Sequence, residues 1–433
     1  MKKIAFVTLG CKVNQYDTNA VIDDLPSGEY IKVPFPGRAD LYVINTCTVT
    51  HKADAEARHY ISRAKRLNPK GVVIVTGCYA QVSPDELKAQ KGVDYVIGNA
   101  DKTILAEVIG GAEPQSAPKI IVSDVFRRRE FETPEITHFS ERTRAFLKVQ
   151  DGCNYRCSFC IIPFARGRSR SLPVAEVIRR MEVLRDSGYK EIVLTGIHLS
   201  SYGRDIGADF LGLLREVEKA AVVPRVRISS LDPADMSEEL IDYVARSETI
   251  CRSFHVALQS GDGDVLKRMR RRYKPEDFLR LTSLIRERMP EAAIGTDVMV
   301  GFPGETEEEF QNTYELLDSS ELTYFHVFPY SRRRGTPAAQ IPVQVHPDVI
   351  KRRSKALRDL GMAKKAAFYS GFVGRLLPVL IEGGMRSVRG TKGTTPNYVT
   401  VRVEDAGLRP GDEIMARISA IRGEEALGVV EAA

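Results

Sequence analysis

The sequence predicts an α/β protein in three parts. An N-terminal open parallel α/β sheet is expected over residues 1–122, a central partial (β/α)6 barrel over 144–368 and a small C-terminal β-barrel over 369–433, with a polar linker at 123–143. Three observations carry that expectation. Apolar strand-like runs alternate with helical segments through most of the chain, as in parallel sheets covered by helices. After Arg144 only about six such runs occur, too few for a closed eight-fold barrel. Beyond the basic helix around Lys351 to Lys365 the pattern changes to short strands with Gly and Pro turns.

Length and composition agree. The 433 residues suit about three domains at roughly 150 residues each. A chain 43% hydrophobic and 28% charged is globular rather than disordered. No apolar run approaches the ~18 residues a membrane span needs, so a cytoplasmic protein with no membrane partner is expected. The opening MKKIAFVTLGC has a short apolar stretch, Ile4 to Gly10, followed at once by Lys12, which reads as a first strand rather than a secretory signal. A net charge of +6 allows a polyanionic partner without requiring one.

In chain order, KIAFVTLG, DLYVINT and GVVIVTG are the first strands, with helices at Asp54 to Leu67 and Asp85 to Lys91. The stretch SDVFRRREFETPEITHFSERT is polar and reads as an exposed linker. The barrel strands are AFLKVQ, EIVLTG, RVRISS, FHVALQS, AAIGTDVMVG and YFHVFPY. RLLPVLIE, NYVTVRVE, DEIMARISAI and ALGVVE then form the C-terminal barrel. It lies downstream of every cysteine and is expected to be removable without dismantling the sites they build.

Seven cysteines stand at 11, 47, 78, 153, 157, 160 and 251, an odd number that disfavours a disulfide framework. Cys153, Cys157 and Cys160 form CNYRCSFC, a spacing that gathers three thiolates on one loop. Structural zinc wants four ligands, and the nearest histidines, His138 and His198, are distant in sequence. Three thiolates suit a 4Fe-4S cluster with one open iron. Cys11, Cys47 and Cys78 each follow a strand run, and loops at the carboxyl ends of parallel strands line one crevice, so a second three-cysteine site is expected. Cys251 has no partner at ligand spacing and reads as a core residue.

CNYRCSFC, with Phe159 before its last cysteine, resembles the signature of radical S-adenosylmethionine (SAM) enzymes. LGCKVNQYDT, INTCTVT and TGCYAQ ahead of it, QDGCNYRCSFCIIPFARGRSRS around it, and TGIHLSSYG, LQSGDGDVLKRMRRRY, GTDVMVGFPGETEEEF and FPYSRRRGTPAA beyond it, resemble the methylthiotransferases of that superfamily. The resemblance covers nearly the whole chain, including a C-terminal segment similar to a TRAM domain, and leans toward the branch acting on threonylcarbamoyladenosine in tRNA. It implies two 4Fe-4S clusters. One, on Cys153, Cys157 and Cys160, is the site of reductive SAM cleavage. The other, on Cys11, Cys47 and Cys78, handles a sulfur methylated by a second SAM. It implies SAM contacts at Phe159, Gly196, Gln259, Ser260 and Asp297, and an electron donor protein such as flavodoxin or ferredoxin. The second-strand motif Thr195 to His198 lacks the Glu of many radical enzymes. Arg166, Arg168 and Arg170 are candidates for a carboxylate or phosphate contact, with a solvated charge run as the equal alternative. His198, His255 and His326 read as polar barrel residues.

RNA affinity comes chiefly from phosphate neutralisation. The acid-free run 57–70 offers Arg58, Arg63 and Arg66, and RMRRRYK at 268–274 is wholly basic. In the C-terminal barrel, Arg386, Arg389 and Lys392 form a candidate contact, with Tyr398 able to stack on a base. Competing readings are sister enzymes acting on isopentenyladenosine in tRNA or on an aspartate of a ribosomal protein, and a noncatalytic RNA-binding protein with structural metal.

Overall fold

A computed structural model describes residues 1–139, 142–383, 390–404 and 407–431. In the N-terminal part, β1 (Lys2–Thr8), α1 (Lys12–Asp23), β2 (Tyr30–Lys32), β3 (Leu41–Thr46), α2 (His51–Leu67), β4 (Val72–Gly77), α3 (Cys78–Val82), α4 (Pro84–Ala89), β5 (Tyr95–Ile97), α5 (Leu105–Gly110) and β6 (Lys119–Ile121) follow in sequence. The six strands pair in the order β2-β1-β3-β4-β5-β6, all parallel. β3 and β4 are buried at every position, which is why they read as unbroken apolar runs rather than alternating ones. The chain leaves β1 toward β2 on one side and β3 on the other, so a topological switch point opens at their carboxyl ends. α2 starts at His51, earlier than expected, because Thr50 caps it by accepting the Ala53 N–H at 3.2 Å.

The stretch at 123–143 is less exposed than its charge suggests. Val125, Ile136 and Phe139 are buried, and Phe139 packs on Phe146 and Tyr189. These apolar residues, spaced among the charges, dock the segment onto the central core.

The central strands are β7 (Arg144–Lys148), β10 (Glu191–Thr195), β11 (Arg225–Ile228), β13 (Ser253–Val256), β14 (Ala293–Val300) and β15 (Tyr324–Pro329). Short β8 (Gln150–Asp151) and β9 (Arg170–Ser171) flank α6 (Ile162–Arg166), and β12 (Ser230–Leu231) continues the line of β11. The intervening helices are α7 (Val174–Asp186), α8 (Phe210–Ala220), α9 (Glu238–Arg246), α10 (Gly263–Arg268), α11 (Pro275–Arg288) and α12 (Glu307–Ser319). The strands run parallel in two sheets, β11-β10-β7 and β12-β13-β14-β15, joined by a bridge between Val226 and Ile250. This is the open six-unit barrel the strand count predicts. The 24-residue α13 (Pro347–Ser370) leads to a closed barrel of β16 (Leu376–Ile381), β17 (Thr391–Thr394), β18 (Thr400–Val403), β20 (Glu425–Glu431) and β19 (Glu413–Arg422). Its strand β17, TKGT, lacks the apolar alternation that marks the other four.

The C-terminal barrel is not a free appendage. Arg225 pairs with Glu413 at 2.8 Å, Arg144 with Glu382 at 2.9 Å, and Arg227 donates to the carbonyls of Thr395 and Pro396 at 3.1 and 3.0 Å. Removing residues 371–433 would leave buried Arg225 without Glu413 and buried Arg227 without two carbonyl acceptors. Truncation should therefore lower the thermal midpoint of the rest of the chain by about 4 °C or more in scanning fluorimetry, even where the cysteine sites persist. An unchanged midpoint would make these contacts dispensable.

Candidate functional site

Each of the first three strand-end cysteines sits where its loop turns. Gly10 before Cys11 has φ +91°, and a Cβ there would lie 2.7 Å from the Cβ of Cys47. Gly77 before Cys78 has φ +99°, with the Thr46 carbonyl 2.4 Å from any added Cβ. Only glycine permits both the dihedral and the approach. The three thiols meet at the switch point. Burial pushes Cys47 up to about 12, with Cys78 and Cys11 adding to the rise. Cys78 Sγ accepts a contact from Asn99 Nδ2 at 3.5 Å.

The loop after β8 repeats the device, since Gly152 before Cys153 has φ +72° and the Arg168 carbonyl close behind it. Cys153 N–H bonds the Gly167 carbonyl, Ser158 N–H the Met269 carbonyl, and Ser158 Oγ the Arg268 carbonyl at 2.7 Å. Phe159 packs into the small cluster of Val265, Met269, Phe302 and Ala338. Burial also pushes Cys160 up to about 12, aided by the neighbouring thiol of Cys157, and raises Cys157 against the pull of Arg271. Arg271 Nη1 lies 3.3 Å from Cys157 Sγ while its other nitrogen holds Asp232 at 2.5 Å. The Tyr155 ring lies 4.3 Å from that of His198, tilted at 53° to it, and His198 Nε2 is 3.2 Å from Asp235.

Thiols held up in this way remain protonated unless a metal stabilises the thiolate. Two triads of free thiols, one beside Arg271 and one within electrostatic reach of Arg166, are a donor set that fits thiolate-ligated iron–sulfur clusters. Cys251 is buried apart from both, as expected of a core residue.

Arg166 ties the two loops together. Its guanidinium bonds Asp17 at 3.0 Å, Asp151 at 3.0 Å and Asn14 Oδ1 at 2.6 Å, and Asp17 also takes Lys102 at 2.8 Å and Lys148 at 2.6 Å. Arg170 bonds the carbonyls of Arg166 and Arg168. Of these arginines, read equally as ligand contacts or a solvated run, Arg166 and Arg170 are buried structural groups, Arg166 claimed by acids and Arg170 by carbonyls, and Arg168 alone is exposed. Asp17→Ala leaves buried cations uncompensated and should cost about 3–5 kcal/mol in denaturant unfolding. A loss below about 1 kcal/mol would contradict that role for the cluster.

Among the remaining expected SAM contacts, Gly196 lies against Gln150, whose Oε1 would be 2.8 Å from an added Cβ. Gln259 has φ +70° and bridges β14, its N–H on the Asp297 carbonyl at 2.8 Å. Ser260 is fully buried on Thr313, 3.2 Å away, so its hydroxyl serves the fold. Asp297 is held between His255 Nε2 and His326 Nδ1, each at 3.1 Å. Burial opposes its ionisation, but the two imidazoles keep its carboxyl well below the usual range. The three donor atoms lie within 4.8 Å, a grouping that individual residues at strand ends did not reveal.

Asp297 faces a cavity of about 450 Å³. Cys11 and Lys12 form its rim from the N-terminal part, Arg144, Arg227 and Tyr324 come from the barrel, and Tyr398 from the C-terminal barrel. Tyr398 stacks on Tyr324 at 5.9 Å and lies beneath Arg227 at 5.0 Å, so its ring borders this cavity. A separate cavity of about 510 Å³ opens beside Cys157 and Cys160, next to Arg156 and Arg270.

The expected RNA contacts are scattered. Arg58 donates to Tyr79 OH at 2.8 Å and Arg63 covers Phe35 at 5.6 Å, whereas Arg66 is exposed. Lys392 lies 3.9 Å from Glu425; Arg386 and Arg389 fall outside the described residues. The basic run at 268–274 is largely committed internally: Arg268 chelates Glu309 at 2.7 and 2.8 Å, Arg271 serves Cys157 and Asp232, and Arg272 covers Tyr155 at 4.1 Å. Sequence reasoning passed over Asp17 and Lys12. For Lys12 a signal existed, a cation in the first turn of a helix, where acids are favoured.

Among the described residues no helix is long and apolar enough to cross a membrane. Residues 147–317 match the radical SAM superfamily, and residues 3–98 match an uncharacterized protein family, UPF0004. The chain is 42% identical to the threonylcarbamoyladenosine tRNA methylthiotransferase MtaB of Bacillus subtilis, over 93% of this chain and 90% of that one. It is 40% identical to the MtaB of Aquifex aeolicus, over 93% and 97%. A tRNA-2-methylthio-N(6)-dimethylallyladenosine synthase of Clostridium tetani is 34% identical, over 87% and 84%. In fold, the chain is similar to the radical SAM methyltransferase TsrM of Kitasatospora setae, with a TM-score of 0.56 at 19% identity, covering 78% of this chain and 77% of that one.

Proposed function

The chain belongs to the MtaB-type radical SAM methylthiotransferases, and from that premise we propose that it attaches a 2-methylthio group to N6-threonylcarbamoyladenosine at position 37 of tRNA, beside the anticodon, in the cytoplasm. The observation that carries the reading is the pair of thiol triads, with Cys11 of one at the rim of a cavity that runs into the barrel. When bound, a 4Fe-4S cluster on Cys153, Cys157 and Cys160 supplies the electron and open iron for reductive SAM cleavage to a 5'-deoxyadenosyl radical, and one on Cys11, Cys47 and Cys78 supplies the station for a sulfur methylated by a second SAM. Such chemistry is required because no side-chain acid or base breaks an aromatic C–H bond.

The protein's own groups do the rest. Arg271 and Arg166 bring positive charge to the two anionic thiolate sets. Asp297 lines the barrel cavity, Gln259 is tied to it by a backbone hydrogen bond, and Phe159 fixes the second cysteine loop by packing. Reduced flavodoxin or ferredoxin is the class of electron donor that the family implies.

Nucleoside mass spectrometry of tRNA from cells with and without the gene tests the reading. Deletion should abolish 2-methylthio-threonylcarbamoyladenosine and leave its unthiolated precursor to accumulate. Loss of the isopentenyl counterpart instead would assign the sister activity. Anaerobic metal analysis of the protein should find about eight irons per chain; zinc without iron would favour the noncatalytic alternative.

A further inference from the structure

The cavity beside Cys11 is rich in cations, and all but one are spoken for. Arg227 bonds Glu191 at 2.7 Å, Ser253 Oγ at 2.8 Å and two backbone carbonyls. Arg144 pairs with Glu382 and lies 3.6 Å from Glu191. Among the described residues the one carboxylate on the wall, Asp297, is held by His255 and His326. Lys12 differs: among the described residues its ammonium has no hydrogen-bond or ion-pair partner, although the side chain reaches into the electrostatic neighbourhood of Tyr398, Arg144, Arg227 and Asp297. Lys12 is half-buried on the cavity wall, which leaves its ammonium open to a ligand entering there. Helix formation does not explain its position, since the first turn of α1 holds no acid and the positive end of the helix dipole repels a cation. The arrangement favours an anion arriving with a ligand.

Four anions are available to such an enzyme: the thiolate-ligated cluster on neighbouring Cys11, which Arg166 already serves, the carboxylate of SAM, an RNA phosphate and the carboxylate of the threonylcarbamoyl group. Cys157 and Cys160, on the loop assigned to SAM cleavage, border a different cavity that Lys12 does not line, but Asp297, an expected SAM contact, shares the wall with Lys12, so SAM's carboxylate is the rival that RNA-independent cleavage must separate. A phosphate would have to lie against a wall that carries Phe146, Tyr324, Phe328 and Tyr398, aromatic surface on which a flat base with its N6 arm fits more readily. On the threonylcarbamoyladenosine reading, on which this inference rests, we infer that Lys12 is a specificity-determining residue whose ammonium binds the threonyl carboxylate of the acceptor nucleoside. An isopentenyl arm offers hydrocarbon there and leaves the ammonium unpaired, so one residue both attracts the right substrate and penalises the wrong one.

The test uses the reconstituted full-length enzyme and anticodon stem-loop RNAs identical except at position 37. These carry threonylcarbamoyladenosine, its neutral threoninamide analogue or isopentenyladenosine. The native enzyme should show kcat/KM for the acid at least about tenfold above that for the amide. Lys12→Met should bring that ratio to about one and Lys12→Arg should restore most of it, with iron content and thermal midpoint as controls for folding. The inference is overturned if the native enzyme treats acid and amide alike, or if Lys12→Met keeps the preference. It is also overturned if Lys12→Met raises the SAM concentration needed for RNA-independent cleavage, which assigns the ammonium to SAM. Should Lys12→Met lose iron, the native enzyme's acid-to-amide ratio decides alone. Activity on the isopentenyl RNA with none on the acid would sink the substrate reading itself, a result distinct from activity on the acid without preference over the amide.

Discussion

Replacing Cys153 with Ala is expected to abolish reductive release of 5'-deoxyadenosine from SAM, with or without RNA, in an anaerobic assay supplied with a strong reductant. The loop is built around the three thiols: the dihedral at Gly152 aims Cys153 inward, its N–H is anchored on Gly167, and its Sγ accepts from the Tyr155 N–H at 3.4 Å. Two remaining thiolates do not hold a cluster whose fourth iron must stay open for SAM. The loss should exceed about 100-fold, since changes to residues that merely support ligands already cost 10- to 100-fold. Cys251→Ala is the matched control, because that thiol is equally free and more buried but lies apart from both triads. Its iron content and cleavage rate should equal those of the parent. Cleavage by the Cys153 variant at the parent rate would remove the loop from the chemistry altogether.

Much of this scaffold is legible in the sequence. Apolar runs such as LYVINT and VVIVTG announce buried parallel strands, and a glycine before Cys11, Cys78 and Cys153 marks three turns that only glycine can make. Both thiol triads follow from spacing and strand ends. What the sequence conceals is pairing over long separations. Asp17 and Arg166 are 149 positions apart, so a run read as available arginines proves to be the tie between the two cysteine loops. In RMRRRYK the same limit holds: local composition shows its charge, but the partners of Arg268, Arg271 and Arg272, namely Glu309, Asp232 and Tyr155, come from other elements. Tyr398 illustrates a further limit. An aromatic in a basic loop suggests an exposed stacking platform, yet its ring forms part of the wall of the barrel cavity, and only the packing of one barrel on the other decides that.

Replacing Cys11, Cys47 and Cys78 together with Ala should divide the chemistry in two. These thiols sit at the ends of β1, β3 and β4 in the N-terminal sheet, whereas the cleavage loop follows β8 and is held by Gly167, Met269 and Arg268. None of the contacts that shape the second loop uses the first three thiols, and Arg166 keeps Asp17 and Asp151 when they are removed. The variant should therefore fold, bind SAM and release 5'-deoxyadenosine under strong reductant. Its iron content should fall by about half, to roughly four per chain. Methylthio transfer should vanish, since a substrate carbon activated within the cavity would find no methylated sulfur at its Cys11 rim. Measuring iron, 5'-deoxyadenosine and modified nucleoside on one preparation separates the possibilities. Loss of all three would show that the sites are interdependent through the Arg166 tie. Retained methylthiolation would return the strand-end cysteines to the status of core residues and leave the sulfur station to be found elsewhere.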